Sequence, residues 1–551
     1  MTATFMLLFG VILGAVIHAM IFCEGGSPLS SPQATLTTTA TFGISSTHSN
    51  SSELSDYSGA NLDTSTEIMY DITDYENCKD FPWNSVRLPR DVIPLSYNLT
   101  IHPNITTKTL DGSVTIDIKY TCSMLSQWAF VIETDVHADD IVELGIEFNG
   151  KVLPDLHGLY ISTHTDAYGK RTQSAVTQFE PSYARKMFPC FDEPNFKATF
   201  QLSVIREAHH IVRSNSIMKI SKEHIDGLYI DVFHRTVRMS TYLLAVAILS
   251  NYDYVKRTTK NTHNPIEVRI DQALGDILSV ERKWGISNVS VLREHRLLKV
   301  RLYAPKDVIN GQSEFGLDTT IRALEYFEAY LNISYPLSKI DLVALDDFSE
   351  GAMENWGLLT FRDSTLLHAN GTTTIMMREH VALVICHEVA HQWFGNLVTM
   401  DWWDDLWLNE GFANYMEYRC VDRLFPDWNI MRRHYIENIA FSHELDGLRG
   451  SRAISAQTSN ETNIMGLFDI LSYHKASAVL RMLQSLIGEE NFQRSLIQYL
   501  NNYAYSNAKG SHLWEIVEKI SALLGSPTKS IQYSPTLVTL VVLVAVIANV
   551  S

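Results

Sequence analysis

The sequence predicts an α+β fold, in which a β-sheet amino-terminal domain is followed by a mainly helical domain. Within residues 82–303, apolar side chains alternate with polar ones, as at Tyr97, Leu99 and Ile101, which is the period of a half-buried strand. Within residues 304–525 the apolar spacing becomes helical. The chain has 551 residues and 46% of them are hydrophobic, so two or more cores can form.

The individual elements follow from the same two periods. Further strands are predicted by β-rich runs at residues 114–118, 196–204, 236–247, 299–302 and 340–345. Helices are predicted at residues 317–331, 374–395, 410–424 and 473–486. Residues 266–270 and 299–302 both look like the strand that leads into the helical domain, so residues 271–298 are predicted to be an insertion.

The amino terminus predicts entry into the secretory pathway. Residues 5–23 carry no formal charge, which suits a signal peptide or a signal anchor within residues 1–25. No Lys or Arg precedes Lys79, so a cleaved signal is favoured. Residues 26–80 are rich in Ser and Thr, which predicts a flexible stalk. Sequons of the N-x-S/T type indicate a glycoprotein, and they lie at Asn50, Asn98, Asn104, Asn288, Asn332, Asn370 and Asn460.

The carboxyl end predicts attachment to the cell surface. Residues 526–535 form a polar spacer, and residues 536–550 are almost wholly apolar without a basic flank. As a helix this apolar run would be about 22 Å long, which is shorter than the roughly 30 Å hydrocarbon core of a membrane. Residues 526–551 therefore predict a GPI-attachment signal, and with it a place on the extracellular face of the plasma membrane.

Charge and cysteine content disfavour several other classes of protein. The net charge is -18, from 44 basic and 62 acidic residues, and no basic stripe is present, which argues against a nucleic-acid partner. Six cysteines are too few and too scattered for a disulfide scaffold, and none has zinc-ligand spacing. Cys386 is interpreted as a small core residue rather than a nucleophile, because the chemistry beside it is metal chemistry.

The stretch CHEVAHQWFGNLVTMDWWDDLWLNE, at residues 386–410, contains most of a candidate zinc site. His387 and His391 are four residues apart, so on a helix their imidazoles share one face and can bind one ion. Glu410 is the candidate third ligand, which leaves one position open for water. Glu388 is turned about 100° from His387 and is free to act as general base. An amphipathic helix with two exposed histidines would show the same short motif.

A second motif, GAMENWG at residues 351–357, distinguishes these interpretations. With it, the chain resembles the aminopeptidase N type of gluzincin zinc aminopeptidase (the membrane alanyl aminopeptidase family), which combines G-A-M-E-N, H-E-x-x-H and a glutamate after an eighteen-residue gap. The gap between His391 and Glu410 fits this pattern. The resemblance covers roughly residues 82–520, including the stretches 177–194 and 472–483.

The resemblance implies roles for further residues. It implies a thermolysin-like catalytic domain at residues 304–525 that holds one Zn²⁺ per chain. Tyr473 would donate a hydrogen bond to the oxyanion of the tetrahedral intermediate. Glu354 would bind the free α-ammonium of the substrate, with assistance from Gln178. The other residues of the motif are expected to bind substrate as well, and they are Gly351, Ala352, Met353 and Asn355.

The sequence therefore predicts a zinc aminopeptidase that removes amino-terminal residues from peptides by means of metal-activated water. Members of that family continue into a β-sandwich and a helical cap, whereas this sequence stops soon after Leu524, so an uncapped cleft is expected. An alternative is a zinc-binding surface receptor or adhesion protein with little turnover. An epoxide hydrolase or endoprotease is disfavoured by Ala352 together with Glu354. The preferred amino-terminal residue, the physiological peptide and the oligomeric state stay open.

Overall fold

The structure is a computed structural model that describes residues 38–43, 87–88, 90, 92–120, 141–259, 298–458 and 461–522. The signal predicted at 1–25, nearly all of the insertion predicted at 271–298 and the tail at 526–551 lie outside these residues. Most of the stalk predicted at 26–80 also lies outside them, as do Asn50, Asn288 and Asn460. Among the described residues, no helix combines the length and the apolar character that crossing a membrane requires.

The amino-terminal domain contains two β-sheets. The strands of the first are β1 (Thr38–Gly43), β2 (Val92–Asn104), β3 (Thr109–Tyr120), β4 (Ile141–Lys151), β7 (Thr199–Arg206), β9 (Met218–Glu223) and β10 (Tyr229–Phe233), in the order β1-β4-β3-β2-β7-β10-β9. The second has β5 (Gly158–Thr165), β6 (Arg171–Gln178), β8 (Ile211–Ser214) and β11 (Val246–Leu249), in the order β5-β6-β11-β8. The predicted alternation is confirmed, because Tyr97, Leu99 and Ile101 are all buried. Strand β1 lies within the predicted stalk and pairs with β4.

A third sheet connects the amino-terminal domain to the helical domain. Its strands are β12 (Tyr252–Thr258), β13 (Lys299–Pro305), β14 (Lys339–Leu345), β15 (Ala352–Met353) and β16 (Leu358–Arg362), in the order β12-β13-β14-β16-β15. Strands β13, β14 and β16 are parallel, and every residue of β14 is buried, as expected for a strand covered on both faces. The sheet therefore holds the second motif, whose Ala352 and Met353 form β15.

The helical domain packs on this sheet. Its helices are α1 (Glu314–Leu331), α2 (Asp363–Leu366), α3 (Ile375–Ala390), α4 (Trp407–Leu424), α5 (Ile430–His434), α6 (Phe441–Asp446), α7 (Glu461–Met465), α8 (Ala476–Ile487), α9 (Glu489–Asn502) and α10 (Gly510–Ala522). Two short strands, β17 (Val398–Met400) and β18 (Ser506–Ala508), pair in parallel. Helices α3 and α4 pack against each other, and fifteen residues of α4 are buried, so α4 is the central helix of the domain. The four helices predicted from sequence are confirmed.

One strand prediction is largely wrong. Residues 236–247 were expected to be β-rich, but the structure has a 3₁₀ turn at Thr241–Leu243 and only the last two of these residues belong to β11. The apolar run is buried because it packs between the two domains: the Tyr242 hydroxyl donates to the Gly395 carbonyl oxygen and accepts from the Asn409 amide. Burial from several sides therefore produces the same apolar pattern as a strand.

Candidate active site

Helix α3 positions the first two candidate zinc ligands. Its amino terminus is capped by Thr374, whose hydroxyl accepts a hydrogen bond from the Met377 amide at 3.2 Å. The helix then runs through a continuous apolar stretch that is buried against its neighbours. It ends at Ala390, and His391 follows with helical dihedral angles, so His387 and His391 keep the one-turn spacing that the sequence predicts.

The three candidate ligands converge on one point. His387 Nε2 lies 3.0 Å from His391 Nε2 and 3.2 Å from Glu410 Oε2, and His391 Nε2 lies 3.3 Å from the same oxygen. Two ligand atoms about 2.0 to 2.1 Å from a tetrahedral zinc are themselves about 3.3 Å apart. The observed separations therefore match three ligands of a single tetrahedral ion.

The distal nitrogen of each histidine also has a partner. His387 Nδ1 lies 2.6 Å from Glu417 Oε2, and His391 Nδ1 lies 2.9 Å from the Phe394 carbonyl oxygen. Each Nδ1–H donates to these acceptors, which leaves both Nε2 lone pairs directed at the metal position. The sequence interpretation missed Glu417. It lies seven residues after Glu410 on α4, and that two-turn spacing places both carboxylates on the same helix face.

Electrostatics favour a cation at this point. Although burial favours its protonated form, the pKa of Glu410 is lowered to about 2 by His391 and His387. Burial opposes a charge on His391 too, yet Glu354 and Glu410 raise its pKa to about 9. A metal ion would replace that proton as the positive charge beside Glu410.

Glu388 has the environment of a proton acceptor. Its side chain is buried, and its Oε2 atom has no hydrogen-bond partner within the described part of the chain. Burial raises the pKa of Glu388 to about 8, while His387 and His391 pull it down and Glu354 pushes it up. A carboxyl with a pKa near neutrality can both take and release a proton.

The second motif lies against the residues that follow helix α3. The Glu354 carbonyl oxygen accepts hydrogen bonds from Asn396 Nδ2 at 2.8 Å and from Gln392 Nε2 at 3.3 Å. Gln178 Nε2 lies 3.4 Å from the Met353 sulfur, so β6 of the amino-terminal domain also reaches the site. The structure therefore brings Gln178, Met353 and Glu354 together.

The other predicted substrate-binding residues of the second motif differ in how deeply they are buried. Asn355 is buried and donates from Nδ2 to the Thr360 hydroxyl at 3.2 Å. Ala352 is half-buried in β15. Gly351 is exposed, and its carbonyl oxygen accepts from the Arg362 amide and the Thr365 hydroxyl, so its contacts shape the turn that enters the motif.

Glu180 is a further acidic residue of the site that the sequence interpretation missed. One carboxylate oxygen from each of Glu180, Glu354 and Glu410 lies within 4.8 Å of the other two. Burial raises the pKa of Glu180 well above its usual range, and the charges of Glu354 and Glu410 raise it further. In the sequence it lies two residues after Gln178, within the stretch 177–194 that shares the family resemblance.

Several buried polar atoms at this place lack a partner. Within the described residues, no hydrogen bond reaches Oε1 of Gln178, Glu180 or Glu354. Unpaired buried acceptors are costly in folded proteins, and those that persist call for an explanation such as a bound ligand. Glu180 and Glu354 each bring a carboxylate oxygen within 4.8 Å of Glu410, so their unpartnered acceptors suit a group rich in N–H donors.

Tyr473 lies beside the metal ligands. It belongs to a π-helical segment, Leu471–Lys475, that precedes α8, and its ring is parallel to that of His387 with centroids 6.1 Å apart. Burial and the nearby Glu410 raise the pKa of Tyr473 well above its usual range, so the hydroxyl keeps its proton as a donor. A side chain at Gly411 would overlap Ala476, so α4 and the start of α8 approach closely and hold Tyr473 near the metal position.

A disulfide joins the two helices that carry the ligands. Cys386 on α3 is bonded to Cys420 on α4, with Cα atoms 6.1 Å apart. Both residues are fully buried, which confirms the interpretation of Cys386 as a core residue, but the sequence alone did not indicate the pairing. The bond lies next to His387 and connects the helix of the histidines to the helix of Glu410.

Comparisons with known proteins match both domains. The Peptidase family M1 domain matches residues 315–533, and the Peptidase M1 N-terminal domain matches residues 121–243. Endoplasmic reticulum aminopeptidase 1 of Mus musculus is 35% identical over 489 residues, which cover 82% of this chain and 48% of that protein. Endoplasmic reticulum aminopeptidase 2 of Homo sapiens is 35% identical over 480 residues, or 80% of this chain and 46% of that protein.

A plant protein is also similar. Aminopeptidase M1-A of Oryza sativa subsp. japonica is 39% identical over 395 residues, which cover 71% of this chain and 40% of that protein. The chain thus spans about half the length of the curated relatives it matches.

Proposed function

Since the chain belongs to the M1 family of gluzincin aminopeptidases, we propose that it is a zinc-dependent aminopeptidase that removes amino-terminal residues from peptides. The observation that carries the proposal is the convergence of His387, His391 and Glu410 at separations of 3.0 to 3.3 Å, beside buried carboxylates without partners. The ligand set of two histidines and one glutamate is that of a catalytic zinc site with one open position.

Each side chain then has a defined task. His387, His391 and Glu410 hold the zinc, which when bound supplies the Lewis acidity that activates water and polarises the scissile carbonyl. Glu388 accepts the proton of the attacking water at Oε2 and passes it to the leaving amine nitrogen. Tyr473 donates its O–H to the oxyanion that develops on the scissile carbonyl oxygen.

The acidic pair Glu354 and Glu180 would make the enzyme an exopeptidase. An α-ammonium group carries three N–H donors and a positive charge, so it can satisfy the unpartnered Oε1 atoms of both residues and of Gln178. An internal peptide bond brings no charge to this position, so it cannot form the ion pair that the α-ammonium makes with these carboxylates. The amino end of the substrate is therefore held next to the metal, and the first peptide bond is the one that is cut.

A zinc-binding receptor with little turnover is the less favoured alternative. Neither Glu388 nor Tyr473 is needed to hold a metal ion. Both lie beside the candidate ligands with the protonation behaviour that peptide hydrolysis needs.

The test is zinc content together with hydrolysis of alanyl- and leucyl-amide substrates by the purified protein. We expect one zinc per chain and amino-terminal cleavage. Glu388→Gln should keep the zinc and lower kcat by about 10²-fold or more, because the amide cannot accept the proton. His387→Ala should lose both zinc and activity. Stoichiometric zinc in His387→Ala would refute the assigned ligand set, and loss of zinc in Glu388→Gln would make that residue structural.

We also propose that the protein follows the secretory pathway to the cell surface. The disulfide between Cys386 and Cys420 supports an oxidising compartment. Three of the predicted glycosylation sites, Asn98, Asn332 and Asn370, are exposed. Treatment with peptide N-glycosidase should lower the apparent mass, and a phospholipase that cleaves GPI anchors should release the protein from intact cells. An unchanged mass would refute glycosylation, and full retention on phospholipase-treated cells would refute the lipid anchor.

A further inference from the structure

A cavity separate from the candidate active site lies where the amino-terminal domain meets the third sheet. Its volume is about 340 Å³, within the range of small-molecule sites. The walls come from β8 to β10 on one side and from β13 and β14 on the other. None of its lining residues belongs to the candidate active site.

The cavity is strongly basic. Four of its lining residues are cations, namely Arg213, Lys299, Arg301 and Lys339, and none is acidic. Asp341 pairs with two of them, Arg301 at 2.5 Å and Lys339 at 2.8 Å. Four positive charges against one negative charge leave a formal excess of three, in a chain whose net charge is -18. Such a concentration of one sign in a concave site attracts anions.

The hydrogen bonds of these cations show which of them can contact a ligand. Lys339 uses all three of its N–H groups, on the carbonyl oxygens of Ser214 and Gly357 and on Asp341, so it contributes charge rather than a contact. Arg213 donates from Nε to the Tyr303 hydroxyl and from Nη1 to a backbone carbonyl.

Three donor groups of these cations have no partner within the part of the chain that the structure describes. Within the described residues, no hydrogen bond or ion pair engages Arg213 Nη2, Arg301 Nη1 or Lys299 Nζ. Lys299 is exposed at the rim, whereas Arg213 and Arg301 are half-buried. Burial lowers the pKa of Lys339 to about 8, although the charge of Asp341 raises it. The charges of Arg301 and Arg213 lower this pKa further, so a bound anion would reduce the repulsion among the three cations.

We propose that this cavity binds a small molecule that carries a phosphate or sulfate ester. Three donors on two arginines and a lysine suit a tetrahedral oxyanion with three terminal oxygens better than a planar carboxylate with two. Besides Ser216, the remaining lining residues are Phe233, Ile217 and Met218, which offer an apolar surface to the carbon skeleton of the ester. The volume accommodates an oxyanion together with a group of about the size of one sugar ring.

The test compares three derivatives of one sugar by titration calorimetry at fixed ionic strength: glucose 6-phosphate, glucose 6-sulfate and glucuronate. The zinc-loaded full chain should bind one or both esters at least tenfold more tightly than the carboxylate, and the stronger ester identifies the source of the oxyanion. Equal affinity for glucuronate would overturn the proposal, because it would reduce the cavity to an unselective patch of charge.

Variants locate the binding. Lys299→Ala and Arg213→Gln should each weaken binding of the preferred ester at least tenfold. Lys306→Ala removes the same charge from an exposed position seven residues along the chain, about 23 Å away on an extended strand, and should bind as the wild type does. Wild-type affinity in both cavity variants would overturn the proposal and assign the binding to the zinc site or another place. The readout does not depend on peptide hydrolysis, so the proposed peptidase activity can fail or hold separately.

Discussion

The contact between Glu417 and His387 should control zinc affinity. Glu417 Oε2 accepts from His387 Nδ1 at 2.6 Å, a short charge-assisted hydrogen bond inside a buried site. It fixes the tautomer and the ring plane that direct His387 Nε2 at the proposed zinc position. Loss of such an outer contact typically weakens metal binding 10- to 100-fold, or by about 1.4 to 2.7 kcal/mol.

Two substitutions separate charge from orientation. In Glu417→Gln the amide oxygen can still accept from Nδ1, so the ring stays oriented and only the charge is lost; we expect zinc to bind about 10-fold more weakly. In Glu417→Ala the acceptor is also lost, and we expect the effect to approach about 100-fold. Because burial raises the pKa of Glu417, the neutral amide should not destabilise the fold.

The assay is competition for zinc against a fluorescent chelator, followed by kcat/KM at saturating zinc. Most of the activity of Glu417→Gln should return once zinc saturates the site, because the groups that contact the substrate are unchanged. Asp422→Asn, on the same helix α4, is the matched control and should bind zinc normally. If Glu417→Ala binds zinc within twofold of the wild type, the orienting role derived from the 2.6 Å contact is refuted.

Three further predictions concern selectivity, the disulfide and pH. Glu354→Ala should impair cleavage of free-amine peptides most, and N-acetylated peptides should be refused by the wild type; comparable rates on both would indicate an endoprotease. Cys420→Ala opens a disulfide between residues 34 apart and should lower the free energy of unfolding by about 3 to 4 kcal/mol, seen as a lower Tm and a smaller response of the Tm to reductant than in the wild type. Burial alone would lower the pKa of His164, but Asp346 and Asp307 on either side of its ring raise it. Its stabilisation is therefore full below its unfolded pKa of about 6.5 and is lost as pH rises through the raised folded pKa. The Tm gap between wild type and His164→Gln should therefore shrink as the pH rises above about 6.5; a gap that is constant with pH would contradict this.

Much of the candidate metal site could be predicted from short-range spacing. On a helix, the four-residue interval between His387 and His391 places both rings on one face, because a turn contains 3.6 residues. Glu388 between them is directed elsewhere by the same geometry. The strand and helix periods also predicted both domains, since the periods of 2 and 3.6 depend only on local backbone geometry.

The apolar pattern gave a wrong strand prediction where a segment is buried by neighbours on several sides. Residues 236–247 have the composition of a strand, yet Tyr242 lies in a 3₁₀ turn that contacts the other domain. An apolar run records that a segment is buried, but it does not record which neighbours bury it.

The sequence by itself determined the ligand spacing, the two-domain α+β order and, through the motifs, the family of the protein. Only the tertiary structure decided that Glu180 of the amino-terminal domain joins Glu354 beside the metal position, that Cys386 pairs with Cys420, and that four cations from both domains line one cavity. The physical reason is the range of the interactions. Contacts within one helix are set by its pitch, whereas contacts between residues that are distant in the chain depend on how helices and sheets pack, which local pattern does not encode.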